Sequence, residues 1–120
     1  MSQLSNKYDL EERTARFGED VILFCRKLKL DDITRPIIIQ LIRSATSIGA
    51  NYTEANNASS KKDFANKIFI CKKEAQETKY WLRMLSKAVI EDESAELRNL
   101  WKECHELTMI FQKICNSLRK

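Results

Sequence analysis

Apolar residues recur at alternating spacings of three and four along most of the chain, the signature of amphipathic helices that each bury one stripe. Ile38, Leu41, Ala45, Ile48, Tyr52 and Ala55 keep that spacing, as do Phe64, Ile68, Cys71, Ala75, Thr78, Leu82 and Leu85. A third set, Leu97, Trp101, Cys104, Thr108, Phe111, Cys115 and Leu118, follows it near the C-terminus, and Phe17, Val21, Phe24 and Leu28 form a shorter stripe near the start. Four helices are predicted, over about residues 10–29, 35–57, 60–88 and 94–118. Their breaks fall where helix-end chemistry places them. Leu30-Asp31-Asp32 interrupts the first stripe, and Thr34 stands in N-cap position for the second helix. Pro36 follows in the first turn, where its missing N–H would have no partner. Ser59 or Ser60 caps the third helix, with Asp63 favoured by the helix dipole, and the acidic run Glu91-Asp92-Glu93 marks the turn into the fourth. Connections this short favour antiparallel neighbours. The pattern predicts an all-α, up-down-up-down antiparallel four-helix bundle, a single domain over residues 1–120.

Composition sharpens this reading. Two glycines, one proline and 43% apolar residues in 120 leave little material for hairpin turns and much for helix. The four cysteines, Cys25, Cys71, Cys104 and Cys115, form no C-x-x-C pair, so neither zinc ligation nor a disulfide frame is expected. No apolar run approaches the roughly 20 residues that span a bilayer, and the N-terminus has no apolar signal-peptide core. The expectation is a reduced, cytoplasmic protein without membrane association.

Apolar residues also lie outside the main stripes. Ile37, Ile39 and Ile42 do so on the second helix, Phe69, Ile70 and Trp81 on the third, and Leu100, Leu107, Ile110 and Ile114 on the fourth. A lone bundle would expose part of this surface, which predicts a homo-oligomer with Ile42 and Trp81 at its interface. A wider core face is the alternative.

A polar stripe runs beside the apolar one on the second helix, where Arg43, Ser47, Asn51 and Glu54 fall at i, i+4, i+8 and i+11. If the second and third helices pair antiparallel, residues whose numbers sum to roughly 117 lie level. Arg43 then faces Glu74 and Glu77, which sit one turn apart, in a buried or half-buried ion pair. With Thr78, these residues are read as a structural network that fixes one packing register. A di-metal carboxylate site is the sharper alternative, but no Glu-x-x-His occurs, and Glu54 lies on the order of 16 Å from the level of Glu74. His105 is the only histidine; it can approach Glu77 from the fourth helix, but no metal or cofactor is expected. Ser44 and Ser47 have neither a histidine base nearby in sequence nor a nucleophile-elbow motif. No catalytic residue is assigned.

Charge is uneven along the chain. The net charge is +4, yet Lys61 to Lys87 alone carries eight Lys and Arg against Asp63, Glu74 and Glu77. Lys72, Gln76, Lys79, Arg83 and Lys87 follow helical spacing and form a ridge, extended by Lys61, Lys62 and Lys67 near the helix start. Cations on one ridge can meet successive phosphates, and without a base-reading motif the contacts would go to the backbone. The alternative is a solvated face.

Three segments, YDLEERTARFGEDVI, RSATSIGANYTEAN and SKKDFANKIFICKKEAQETKYWLRML, together resemble the bacterial 23S rRNA intervening-sequence protein family, the S23 family. The likeness runs from about Tyr8 into the last helix and rests on R-S-x-x-S-I-x-A-N and K-E-A-x-E-T-x-Y-W-L. Its motif residues stand here as Arg43, Ser44, Ser47, Ile48, Asn51 and Glu54, with Glu74, Glu77, Thr78, Trp81 and Leu82. The resemblance implies a small helical bundle assembled into a ring, often a pentamer, with a basic surface. It also implies nucleic-acid association without known catalysis, and distant relatives accompany reverse transcriptases. The expectation is a non-enzymatic, oligomeric protein binding RNA or DNA phosphates without sequence preference, with a polymerase-type protein as a further candidate partner. The rival is a scaffold that binds only protein.

Overall fold

The computed structural model describes the backbone of residues 2–119 and the side chains of Leu10 to Arg119. Four α-helices account for most of it: α1 (Ser2–Arg26), α2 (Thr34–Asn56), α3 (Lys61–Leu85) and α4 (Ser94–Leu118), with a 3-10 turn at Glu91–Glu93 before α4. The described residues contain no strand. The fold class is all-α, as the apolar spacing predicts.

Helix ends depart from expectation where local bonding decides them. α1 begins at Ser2, well before residue 10, because no Gly or Pro interrupts the first nine residues. It stops at Arg26 rather than 29: the N–H groups of Lys27 and Leu28 turn back to the carbonyls of Phe24 and Cys25, tightening the last turn. α3 stops at Leu85 in the same way, with Lys87 and Ala88 bonded to Met84 and Leu85. Lys87 therefore lies past the end of the helix expected to carry it. Thr34 does not cap α2; the Asp31 carboxylate does, accepting from the N–H of Ile33 at 2.9 Å and of Thr34 at 2.8 Å. Bonds from the Thr34 backbone and hydroxyl, then the Ile33 N–H, hold the Asp31 carboxyl below its ordinary range. Ser60 caps α3 as expected, its hydroxyl accepting from the Asp63 N–H at 3.0 Å.

The core gathers one stripe from each helix. Phe17, Val21 and Phe24 of α1 pack with Leu41, Ala45 and Ile48 of α2, Ile68, Cys71, Ala75 and Leu82 of α3, and Leu97, Cys104, Leu107 and Phe111 of α4. On α4 Leu97, Cys104, Phe111 and Cys115 are buried as expected, but Leu100 and Leu107 fill the positions between them, whereas Trp101 is 38% and Leu118 43% exposed. Ile37, Ile42, Trp81, Ile110 and Ile114 are half-buried against the same core. The wider core face thus absorbs most of the apolar surplus, while Ile39 and Phe69 remain exposed. All four cysteines are free and buried. Burial pushes the Cys25 thiol up to about 11 and those of Cys71 and Cys104 to about 12, so near neutral pH they pack as small hydrophobes.

Two glycines set how closely α1 meets α2. A Cβ on Gly49 would sit 3.3 Å from the carbonyl carbon of Thr14, and one on Gly18 would meet Thr46 at an ordinary 3.6 Å. Gly18→Ala should therefore stabilise the protein by about 0.5–1 kcal/mol through helix propensity. Gly49→Ala should instead destabilise it by about 1 kcal/mol, because backbone must give way. Thermal unfolding of the two variants side by side checks the sign of each.

Candidate nucleic-acid interface

The α2–α3 pair is the most extensively packed in the molecule and fixes where the functional candidates lie. Across it, Arg43 meets Glu74 and Glu77, Ser44 meets Thr78, and Glu54 meets Lys67, so numbers fall on α3 as they rise on α2. The register expected from the sequence holds. At its centre two fully buried hydroxyls touch, Thr78 Oγ1 lying 2.9 Å from Ser44 Oγ. Each keeps a partner in its own helix as well, the Leu41 carbonyl for Ser44 and the Glu74 carbonyl for Thr78. The hydroxyls close on one another and on backbone, with no base beside them.

The ionic part of the stripe lies nearer the surface. Arg43 donates to Glu77 and, at 3.5 Å, to Glu74, with its side chain 46% exposed. At that exposure the pair is worth under about 1 kcal/mol. Glu77 also accepts from the Trp81 indole N–H at 3.1 Å. Burial works to raise the Glu77 carboxyl, but the indole and the Arg43 guanidinium outweigh it and hold it below its ordinary range. Ser47 and Asn51 turn back onto their own helix, to the carbonyls of Arg43 and Ser47. They do not join the cross-helix network, because carbonyls one turn back are within easier reach.

The expected basic ridge divides into two flanks. Lys67 reaches Glu54 of α2 at 2.6 Å, and that bond raises its ammonium above the ordinary range. Lys79 lies on the other flank, its Nζ 2.8 Å from His105 Nδ1 and 4.8 Å from the Trp101 ring centre on α4. Lys72 and Arg83 share the Lys79 face by helical period. Lys72 Nζ rides over the Phe69 ring at 4.9 Å, a weak cation–π contact that leaves its charge available. Lys61 and Lys62 are exposed in the first turn of α3, where they border a cavity of about 1030 Å³ with Tyr52, Asn56, Ser60 and Phe64. Of the seven cations read from the sequence, Lys67 is the one held in an ion pair among the described residues.

Three features have no signal in the sequence pattern. Arg98 and Trp101 of α4 line a cavity of about 260 Å³ with Arg83, extending the basic face onto a second helix. His105 sits against Lys79 and Trp101 rather than Glu77. Arg13 clasps Glu103 through two bonds, of 2.7 and 2.8 Å, and Glu106 at 2.9 Å, joining α1 to α4. Among the described residues no three of His, Cys, Asp and Glu converge as a metal site would require, and no helix is long and apolar enough to cross a membrane.

No curated protein matches the chain. A crystal structure of a protein of unknown function from the S23 ribosomal protein family of Bacteroides thetaiotaomicron VPI-5482 is similar, with 28% sequence identity and a TM-score of 0.74. The match covers 88% of this chain and 97% of that one. The family model for the 23S rRNA-intervening sequence protein matches residues 6–113, a span that holds both signature segments, the α2–α3 register and the basic flank. On that match the chain belongs to the 23S rRNA-intervening sequence protein family.

Proposed function

We propose that this chain is a non-enzymatic, oligomeric protein that binds RNA or DNA through phosphates, using the α3 flank that faces α4. One observation carries the reading: Lys61, Lys62, Lys72, Lys79 and Arg83 make no ion pair among the described residues, while the cation on the opposite flank, Lys67, is tied to Glu54. Free cations along one helix face can replace counterions on a phosphate backbone, which gives affinity without sequence preference. α3 packs against both α2 and α4, and an up-down-up-down arrangement of the four helices would leave its outer face open. Exposed Ile39 and Phe69 support self-association, with a ring such as a pentamer as the assembly. A ring would repeat the basic flank and multiply its avidity.

Anisotropy titration with a structured RNA and a duplex DNA across a salt series tests the binding, with light scattering on the same samples for the mass. A steep salt slope and a mass of several chains are expected. Absence of binding at low salt, or a monomer at micromolar concentration, refutes the corresponding half. Ile42 and Trp81 are half-buried against their own core, so a charge there perturbs folding and assembly together. Ile39→Lys, at a residue of α2 58% exposed and off the basic flank, probes assembly without disturbing the core.

A further inference from the structure

Trp101 is an unusual residue to find at the surface of a helical bundle. Its indole is 38% exposed, and the His105 imidazole stacks on it, the ring centres 5.2 Å apart and the planes within 7° of parallel. Lys79 Nζ reaches both rings, at 4.8 Å from the indole centre and 2.8 Å from His105 Nδ1. His105 and Lys79 thus both pack against Trp101, whose indole still keeps solvent exposure.

Trp101 also lines the cavity of about 260 Å³ between the end of α3 and the start of α4. Leu82 and Leu97 give that cavity an apolar lining, and Arg83 and Arg98 bring two cations to it from opposite helices. Neither arginine has an acidic partner among the described residues. The acidic turn Glu91–Glu93 adjoins the Ser94 edge, so an anionic chain would run along the Lys79–Arg83 side. A flat aromatic face, an apolar recess and flanking cations meet the needs of a base and its adjoining phosphates.

We propose that Trp101, backed by His105 and Lys79 and flanked by Arg83 and Arg98, is a stacking platform for one unpaired base of an RNA or DNA strand. This rests on the phosphate-binding reading and adds a requirement to it, since a base inside a duplex has no face free to stack. The protein should therefore hold a single-stranded segment through Trp101 and a duplex through phosphates alone.

The test compares a short oligouridylate with a blunt RNA duplex of the same length, using the full chain. Trp101→Ala should weaken oligouridylate binding by at least about fivefold, the lower bound for one stacked base, and leave duplex binding unchanged. Trp101→Phe, which keeps an aromatic face, should restore part of the loss. The chain has two tryptophans, Trp81 and Trp101. Oligouridylate should therefore quench emission in Trp81→Phe protein and fail to do so in Trp101→Phe protein. Equal losses on both ligands, or no loss on the single strand, would overturn the platform, as would the absence of quenching in Trp81→Phe. Wild-type protein that binds duplex but not oligouridylate overturns the platform alone; protein that binds neither overturns the phosphate reading with it. Unchanged helical circular dichroism in each variant excludes misfolding as the cause.

Discussion

Truncating Phe111 to alanine is expected to destabilise the protein by about 3–5 kcal/mol, the range for a buried aromatic that leaves a cavity. The ring is fully buried on α4 and meets Tyr52 of α2 edge-on, the centres 5.8 Å apart at 62°. That contact crosses the bundle diagonal, so neighbouring pairs of helices cannot collapse independently into the space left behind. Folded domains of this size have total stabilities of roughly 5–15 kcal/mol, so the loss takes a large share of what there is. Denaturant unfolding at one fixed protein concentration, which holds any assembly contribution constant, measures it. Met109→Ala, at a side chain 59% exposed on the same helix, should change stability by less than about 0.5 kcal/mol. Similar values for the two variants would contradict the core assigned to α4.

The second large effect concerns binding. Replacing Lys72, Lys79 and Arg83 together with alanine should make the plot of log affinity against log salt for duplex DNA shallower by about 2–3, near 0.9 for each phosphate no longer neutralised. Lys67→Ala should leave the slope unchanged, because its ammonium is already neutralised by Glu54 at 2.6 Å. The pair of variants thus separates a directed surface from a diffuse positive field. Titrations at salt concentrations between about 50 and 200 mM give the slopes directly. If the triple variant kept the wild-type slope, the α3 flank would be only a solvated face.

How far the sequence can be read varies from one helix to another, for identifiable reasons. On α2 the buried apolar set Ile38, Leu41, Ala45, Ile48, Tyr52 and Ala55 is the one the spacing predicts, while the buried hydroxyls of Thr34 and Ser44 carry no apolar signal. On α4 the shared positions Leu97, Cys104, Phe111 and Cys115 are legible, but either Leu100 with Leu107 or Trp101 with Thr108 completes a helical stripe with them, and periodicity cannot choose between the two. The stripe through Trp101 puts that residue in the core and hides it from the candidate surface. The Arg43–Glu74–Glu77 group is legible because antiparallel pairing and a short connection fix the register arithmetically. Arg13 with Glu103 is not, since these residues lie at opposite ends of the chain and no local signal couples them. Helical period already separates Lys67 from Lys72, Lys79 and Arg83, but that Glu54 neutralises Lys67 while Lys79 meets His105 depends on neighbours, which a helical wheel does not carry.

The unequal packing between helices has a consequence for motion. The α2–α3 pair is contiguous in sequence and, among the described residues, packs most extensively, whereas α1 and α4 touch least of the adjacent helix pairs. An α2–α3 hairpin closes only a short loop before its contacts form, so it is the natural folding nucleus, with α1 docking late. The same asymmetry makes α1 the cooperative unit that undocks at lowest free energy, baring Phe17, Val21 and Phe24 while the hairpin stays intact. Native-state amide exchange should show the slowest protons at the Ser44–Thr78 level of α2 and α3 and a separate, faster class throughout α1. A single exchange class across all four helices would mean that the bundle opens only as a whole.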